Sequence, residues 1–463
     1  MLACYSKDRT DSTPIYPIQI RELHDWLEAQ TPRIQQWVKA SGFSADNGSF
    51  CLLPSETGAL EGILFGINSL DEFWIYGDLP CKLPEGHYRI ERLSECAPWS
   101  KEQWSRILMA WGLGSYQFDL YRDTTLPGSS LWVPEALELE DLEILVSTIY
   151  LVRDLINTPT EAMGPAEVAE AVKHVAAEFN ASVKVIEGDE LLKENYPLIH
   201  AVGRASDKAP RLVDMRWGNP EHPKVVLIGK GVCYDTGGLS IKTTAGMLTM
   251  KKDMGGAAHA LALARLVMAH ELPVYLRVLI PAVENSISGN SFRPGDVFVA
   301  RNGISVEVTN SDAEGRLILA DALAEASGEN PQIIIDFATL TGAARTALGP
   351  DLPALFSNSD RQAEALLKAG EAMRDPMWRL PLYRPYREMY LHSNIANIQN
   401  SSSKTFADAV LAALFLELFV GPDIEWAHLD DYSFNETSSP GRPHGGEAMA
   451  LRACFYYLKE MFL

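Results

Sequence analysis

The chain has 463 residues, 47% of them hydrophobic and 22% charged, with a formal net charge of −21 at pH 7. That length exceeds one ordinary core, so two domains are expected. The acidity weighs against broad binding to nucleic acid or to an anionic membrane surface. Six cysteines, at 4, 51, 81, 96, 233 and 454, form no C-x-x-C pair, which removes zinc-knuckle and dithiol motifs and suggests a reducing compartment. There is no apolar run of signal-peptide length at the N-terminus and none of about 18 residues elsewhere, so a cytoplasmic protein without a membrane span is expected.

In chain order, residues 20–40 carry apolar side chains at helical spacing, and 101–111 do so again. Residues 50–53 and 62–66 read as short strands. Turn chemistry around Pro127 and Gly128 then interrupts. Residues 137–156 read as a long helix ended by Asn157-Thr158-Pro159. The resulting division is an N-terminal α/β domain over 1–136, a connecting helix over 137–158 and a second domain over 159–463. Pro165 suits the first turn of a helix. Beyond it, strands predicted at 182–186, 212–217, 225–228, 274–280 and 333–336 alternate with helices at 254–270 and 317–327, the pattern of an α/β sheet covered on both faces. Such sheets bind ligands beyond the carboxyl ends of their strands, where Lys230 and Thr339-Leu340-Thr341-Gly342 fall.

The densest polar segment is Asn310-Ser311-Asp312-Ala313-Glu314-Gly315-Arg316-Leu317. Lys230, Asp235, Lys242 and Asp253 form a second polar cluster upstream. Acids and lysines between apolar runs are costly to bury unless paired or metal-bound. Four carboxylates, Asp235, Asp253, Asp312 and Glu314, balance two divalent cations such as Mn²⁺, Zn²⁺ or Mg²⁺. In an extended segment, residues 312 and 314 would project from one side. The lysines have two readings: salt-bridge partners of the acids, or one neutral amine ligand and one ammonium that polarises a carbonyl. Arg316, at the start of a helix, suits either an anion site or a structural ion pair.

Rival motifs fail. Gly229-Lys230-Gly231 lacks the P-loop glycine (Lys224 stands there) and the Ser or Thr after the lysine; Tyr234 breaks a dinucleotide fingerprint. His270-Glu271 lacks the second zincin histidine, and no G-x-S-x-G is present. His259 and His428 read as core histidines, Asp336 as a strand-end cap, residues 411–420 as core and 401–404 as a surface loop.

Three segments resemble the leucyl (cytosol) aminopeptidases: Leu227 through Lys242, Met250 through Ala258, and Asn310 through Leu317. The likeness covers the C-terminal half and is weak in the N-terminal third. It implies a small macro-like α/β domain before an αβα catalytic domain with a central mixed sheet. It also implies a two-metal aminopeptidase acting on short peptides and assembled as a homohexamer. Lys230, Asp235, Asp253 and Glu314 would ligate one metal, and Asp235, Asp312 and Glu314 the other. Lys242 would polarise the scissile carbonyl. Arg316, with Gly315 and Leu317, would hold bicarbonate as the base. Met250, Thr339, Gly342, Tyr432 and Asn435 would line the substrate pocket. Tyr432 and Asn435 replace the small and apolar residues of better-known members, which speaks against a simple leucine preference. A DNA-binding or scaffold role on the same fold is the alternative, and a non-peptide amide or phosphoester hydrolase is a third reading.

Overall fold

The computed structural model describes residues 1–93, 99–121 and 128–463. The expected turn at Pro127, and Cys96, lie outside the described residues. The chain divides into two compact units, Met1–Tyr150 with Thr437–His444, and Leu151–Glu436 with Gly445–Leu463. The long helix is present at Glu140–Asn157, and the boundary falls within it. The first unit therefore takes in part of the segment read as a connector, and also Thr437–His444 from far along the chain.

The first unit is built on a six-stranded sheet in the order Tyr5–Ser6, Ser129–Trp132, Gly86–Ile90, Thr13–Ile18, Leu60–Gly66 and Phe50–Pro54. All neighbours are parallel except the last pair. The helical periodicity over 20–40 resolves into two helices, Ile20–Glu28 and Pro32–Ala40. Pro32 supplies no N–H, and Thr31 Oγ1 caps the second helix by accepting from Ile34 N at 3.4 Å, so the chain restarts there.

The second unit carries a nine-stranded mixed sheet. Its path runs Trp378–Arg379, Ala354–Ser357, Glu425–Asp430, Ile333–Ala338, Lys224–Gly229, Tyr275–Asn285, Arg211–Trp217 and Ser182–Glu187, with Gly231–Asp235 paired beside Tyr275–Asn285. The four central strands, from Glu425–Asp430 to Tyr275–Asn285, are parallel. They read as near-continuous apolar runs because both faces are covered. Helix Gly255–Ala269, with nearly every residue buried, packs on this sheet. Gly315–Ser327 and Asp408–Glu417 contribute to a large apolar cluster with Trp426. No helix among the described residues is long and apolar enough to cross a membrane.

This architecture aims chemistry at one edge. Lys230 directly follows Lys224–Gly229, Asp235 ends Gly231–Asp235, and Asn285 ends Tyr275–Asn285. Thr339 follows Ile333–Ala338, and Asp431 follows Glu425–Asp430. All five are at carboxyl ends of parallel strands. Asp430 fastens this edge: Oδ1 accepts from Leu340 N at 3.0 Å and Thr341 N at 3.1 Å, and Oδ2 accepts from Thr341 Oγ1 at 2.6 Å.

Candidate active site

A cleft at that edge is lined by Lys230, Asp235, Lys242, Asp253, Asp312, Glu314 and Arg316, all singled out from sequence. The segments that supply them are far apart in the chain and reach the cleft by different local means. Asp253 lies in the 3₁₀ turn Met250–Met254, which leads into Gly255–Ala269. Asp312 and Glu314 do not lie in an extended segment, as expected from their spacing. A turn at Ser311–Asp312 and the helical backbone of Glu314 ahead of Gly315–Ser327 bring both carboxylates inward. Asn285, unnoticed in the sequence, buttresses the turn: its Nδ2 donates to Asp235 Oδ1 at 2.8 Å and to Ser311 O at 3.0 Å.

Lysines bridge the acids in pairs. Lys230 Nζ lies 2.8 Å from Asp253 Oδ2 and 3.0 Å from Glu314 Oε1, and donates to Thr339 O at 3.0 Å. Lys242 Nζ lies 2.8 Å from Asp235 Oδ2 and also pairs with Asp312 Oδ1. Thr339 Oγ1 donates to Asp253 Oδ1 at 2.7 Å. Gly315 is required by this packing, since a Cβ there would sit 2.6 Å from Lys230 Cε. Gly237 adopts φ +85, which a side chain would strain, and its N–H donates to Asp235 Oδ1 at 2.8 Å.

Two ammonium groups do not balance four carboxylates. Burial raises the carboxyls of Asp235 and Asp312 above the usual range, and the Glu314 charge adds to the rise in both. Burial also opposes ionisation of Glu314, but Lys230 and then Lys242 outweigh it and hold that carboxyl low. Burial disfavours both ammonium groups as well, yet the surrounding acids keep the two lysines protonated. Carboxylate oxygens of Asp235, Asp312 and Glu314 lie within 4.8 Å of one another, and Glu314 Oε2 is buried without a hydrogen-bond partner. An all-oxygen, surplus-negative donor set of this kind fits hard or borderline divalent cations.

Arg316 is buried near the start of its helix. Its Nη1 donates to Asn400 O at 2.7 Å and Nη2 to Asp408 Oδ1 at 3.3 Å, while Nε has no hydrogen-bond partner. Leu317 departs from expectation. Its side chain is fully buried in the apolar cluster and its N–H donates to Glu314 O at 3.0 Å, so neither group faces the cleft. Gly315 is likewise absent from the cleft lining.

Met250, Thr339, Gly342 and Tyr432 line the cleft, whereas Asn435 does not. Asn435 is buried with its Nδ2 donating to Glu447 Oε2 at 2.8 Å, because the strand pair Phe434–Asn435 with Gly445–Gly446 turns it away. Asp336 is not a strand-end cap. It sits inside Ile333–Ala338 and accepts from Trp426 Nε1 at 2.6 Å, with Oδ1 2.6 Å from His428 Nδ1. His259 is a satisfied core histidine: Met449 N donates to its Nε2 at 2.8 Å. Ser401 was read as part of a surface loop; it is buried, its carbonyl accepts from Thr309 Oγ1 at 2.6 Å, and it lines the cleft. Lys252 and Arg345 also line the cleft and were missed. Lys252 is masked by its neighbours Lys251 and Asp253, and Arg345 shows only as a basic residue near a helix end.

Fold and cleft together define a mixed αβα-sheet protein with an acid-rich cleft, fit for divalent cations, at the carboxyl ends of its strands. Residues 150–455 match the catalytic domain of the cytosol aminopeptidase family, and residues 13–134 match the M17 aminopeptidase N-terminal domain. The chain is 43% identical over 309 residues to peptidase B of Serratia proteamaculans, an alignment spanning 65% of this chain and 72% of that one. The crystal structure of cytosol aminopeptidase from Coxiella burnetii superposes with a TM-score of 0.94 at 52% identity, covering 99% of this chain and 100% of the other. The bottromycin maturation enzyme BotP in complex with Mn superposes with a TM-score of 0.86 at 29% identity, covering 98% and 100%. The chain belongs to the cytosol aminopeptidase family and is an aminopeptidase, a hydrolase of peptides.

Proposed function

We propose that the cleft removes N-terminal residues from short peptides by a two-metal reaction in the cytoplasm. The observation that carries this reading is the convergence of the Asp235, Asp312 and Glu314 oxygens within 4.8 Å, with Asp253 joined to the same cluster through Lys230. Lys230, Asp235, Asp253 and Glu314 would hold one cation, and Asp235, Asp312 and Glu314 the other. Lys230 serves as a ligand only as the neutral amine, which a neighbouring cation favours by repelling the proton. When bound, divalent cations supply Lewis acidity and bicarbonate supplies a base. A manganese complex of the similar BotP supports Mn²⁺, and the donor set also accepts Zn²⁺.

The chain's own groups do the rest. Lys242, an ammonium at the partly open side of the cluster, donates to the scissile carbonyl oxygen as negative charge develops. Arg316 offers its unpartnered Nε to an anion of bicarbonate type. The wall of Met250, Thr339, Gly342 and Tyr432 orients the first side chain. Assembly into a homohexamer follows from the likeness to the family, and light scattering would measure it.

The test is metal analysis of the purified chain coupled to a panel of aminoacyl-amide substrates with and without Mn²⁺ or Zn²⁺. Metal-stimulated release of the N-terminal residue is expected. A metal-loaded protein inert toward the whole panel would end this reading.

A further inference from the structure

We propose, resting on the peptidase reading above, that Lys252 and Arg345 make the side-chain pocket a receptor for a carboxylate, so that the enzyme prefers peptides beginning with Asp or Glu. Lys252 is 3% exposed and lines the cleft. Lys230 and Lys242 each bridge two carboxylates. By contrast, no hydrogen bond or ion pair joins the side chain of Lys252 or of Arg345 to an acid among the described residues. Both cations lie against one ring. Lys252 Nζ is 4.9 Å and Arg345 Cζ 4.3 Å from the centroid of Tyr432, whose hydroxyl donates to Glu436 Oε1 at 3.0 Å and so fixes the ring. A cation–π contact is a weak partner for a buried basic group, and a carboxylate would be a stronger one.

The surrounding residues sharpen the choice of anion. The acids nearby are already engaged: Ser433 Oγ donates to Asp431 Oδ1, the Tyr432 hydroxyl to Glu436 Oε1, and Lys230 and Thr339 hold Asp253. Neither Asp431 nor Glu436 forms an ion pair with Lys252 or Arg345, so both basic groups keep donors for an incoming carboxylate. Gly342 lies beside the guanidinium: a Cβ there would make van der Waals contact with Arg345 Nη2 at 3.5 Å. Met250, Leu340 and the Tyr432 ring give the short methylene stem of Asp or Glu an apolar wall. A planar guanidinium beside an ammonium matches a carboxylate better than a neutral amide of the same shape.

The experiment is kcat/KM of the metal-loaded enzyme on Glu-, Asp-, Gln- and Leu-4-nitroanilides. Glu should exceed Gln by about tenfold or more, because a buried charge-assisted pair is lost with the amide. Lys252→Met and Arg345→Met should each shrink the Glu-over-Gln ratio by about tenfold. The half-buried Arg345 keeps the test open should the Lys252 variant fail to fold, and Arg345→Glu should turn the preference toward Lys substrates. Cleavage of Leu with Glu no better than Gln overturns the proposal, as does an equal loss on both substrates in Arg345→Met. A preference for Leu-Gly over Leu-Gly-amide that disappears in Arg345→Met would assign the cations to the peptide's main-chain carboxylate, and also overturns it. Hydrolysis of no substrate at all would break the peptidase reading itself and this inference with it.

Discussion

Two clusters of buried and half-buried charge sit on the same mixed sheet and have opposite characters. Around Arg277, the acids Asp214, Glu325 and Glu329 face Arg277, Arg216, Arg301 and Lys224. Arg277 lies 2.7 Å from Asp214 and from Glu325 and 3.1 Å from Glu329, and Arg301 pairs with Glu325. Arg216 lies 2.7 Å, and Lys224 3.1 Å, from Glu329. Burial opposes ionisation of Glu325 and Glu329, but the guanidinium groups outweigh it and hold both carboxyls low. In the cleft, four acids face two lysines, and the carboxyls of Asp235 and Asp312 rise instead. Buried charge alone therefore does not mark a site. An acid surplus left uncompensated at the carboxyl ends of parallel strands does.

The contrast breaks if removing a cation has the same consequence in both clusters. In the cleft, Lys242→Ala should lower kcat/KM by about 10³-fold while metal content by elemental analysis is retained, since it removes a donor to developing charge. Asp253→Ala should lose bound metal as well as turnover. A Lys242→Ala protein purified without metal would erase that separation of roles. In the balanced cluster, Arg277→Met should cost about 1–3 kcal/mol of stability, because three half-buried acids lose the buried cation they share and keep only Arg216, Arg301 and Lys224. Its denaturation midpoint should fall while kcat/KM of the folded protein stays near wild type; unchanged stability would mean that the network is solvated.

Smaller effects refine the comparison. Asp312→Asn should leave the protein without added metal as stable as wild type or slightly more so, because it relieves the acid surplus. A clear loss of melting temperature would show the acids already balanced. The pH response of the Arg277 network has a definite sign. Glu325 and Glu329 have folded pKa values below their unfolded ones. Their stabilisation is therefore present above the unfolded value of about 4.3 and is lost as pH falls through the folded values. Glu325→Gln should flatten the acid limb of the stability curve, and an unchanged limb would remove this pair from the account.

Legibility from sequence followed the same divide. The central strands were readable because fully covered parallel strands are continuous apolar runs, as at Lys224–Gly229 and Ile333–Ala338. Gly231–Asp235 escaped notice because it follows Lys224–Gly229 with only Lys230 between them. The polar cluster stood out because Lys230, Asp253 and Glu314 interrupt apolar segments. Asn285 and Asn400 did not, since an amide at a strand end or in a loop looks like ordinary turn chemistry until its partners are known. Asn435 and Leu317 misled for the converse reason: adjacency in a motif does not say which way a side chain points.

Composition, periodicity and motif order by themselves determined the class of fold, the order of its elements and the acids and lysines that meet in the cleft, because these depend on local spacing and on the cost of burying charge. Only the tertiary structure decided which groups face one another. It set Lys252 and Arg345 against the Tyr432 ring, turned Asn435 toward Glu447 and made Asp336 an interior partner of Trp426 and His428. The reason is physical: pairing and direction are set by contacts between segments tens to hundreds of residues apart, and no local pattern encodes them.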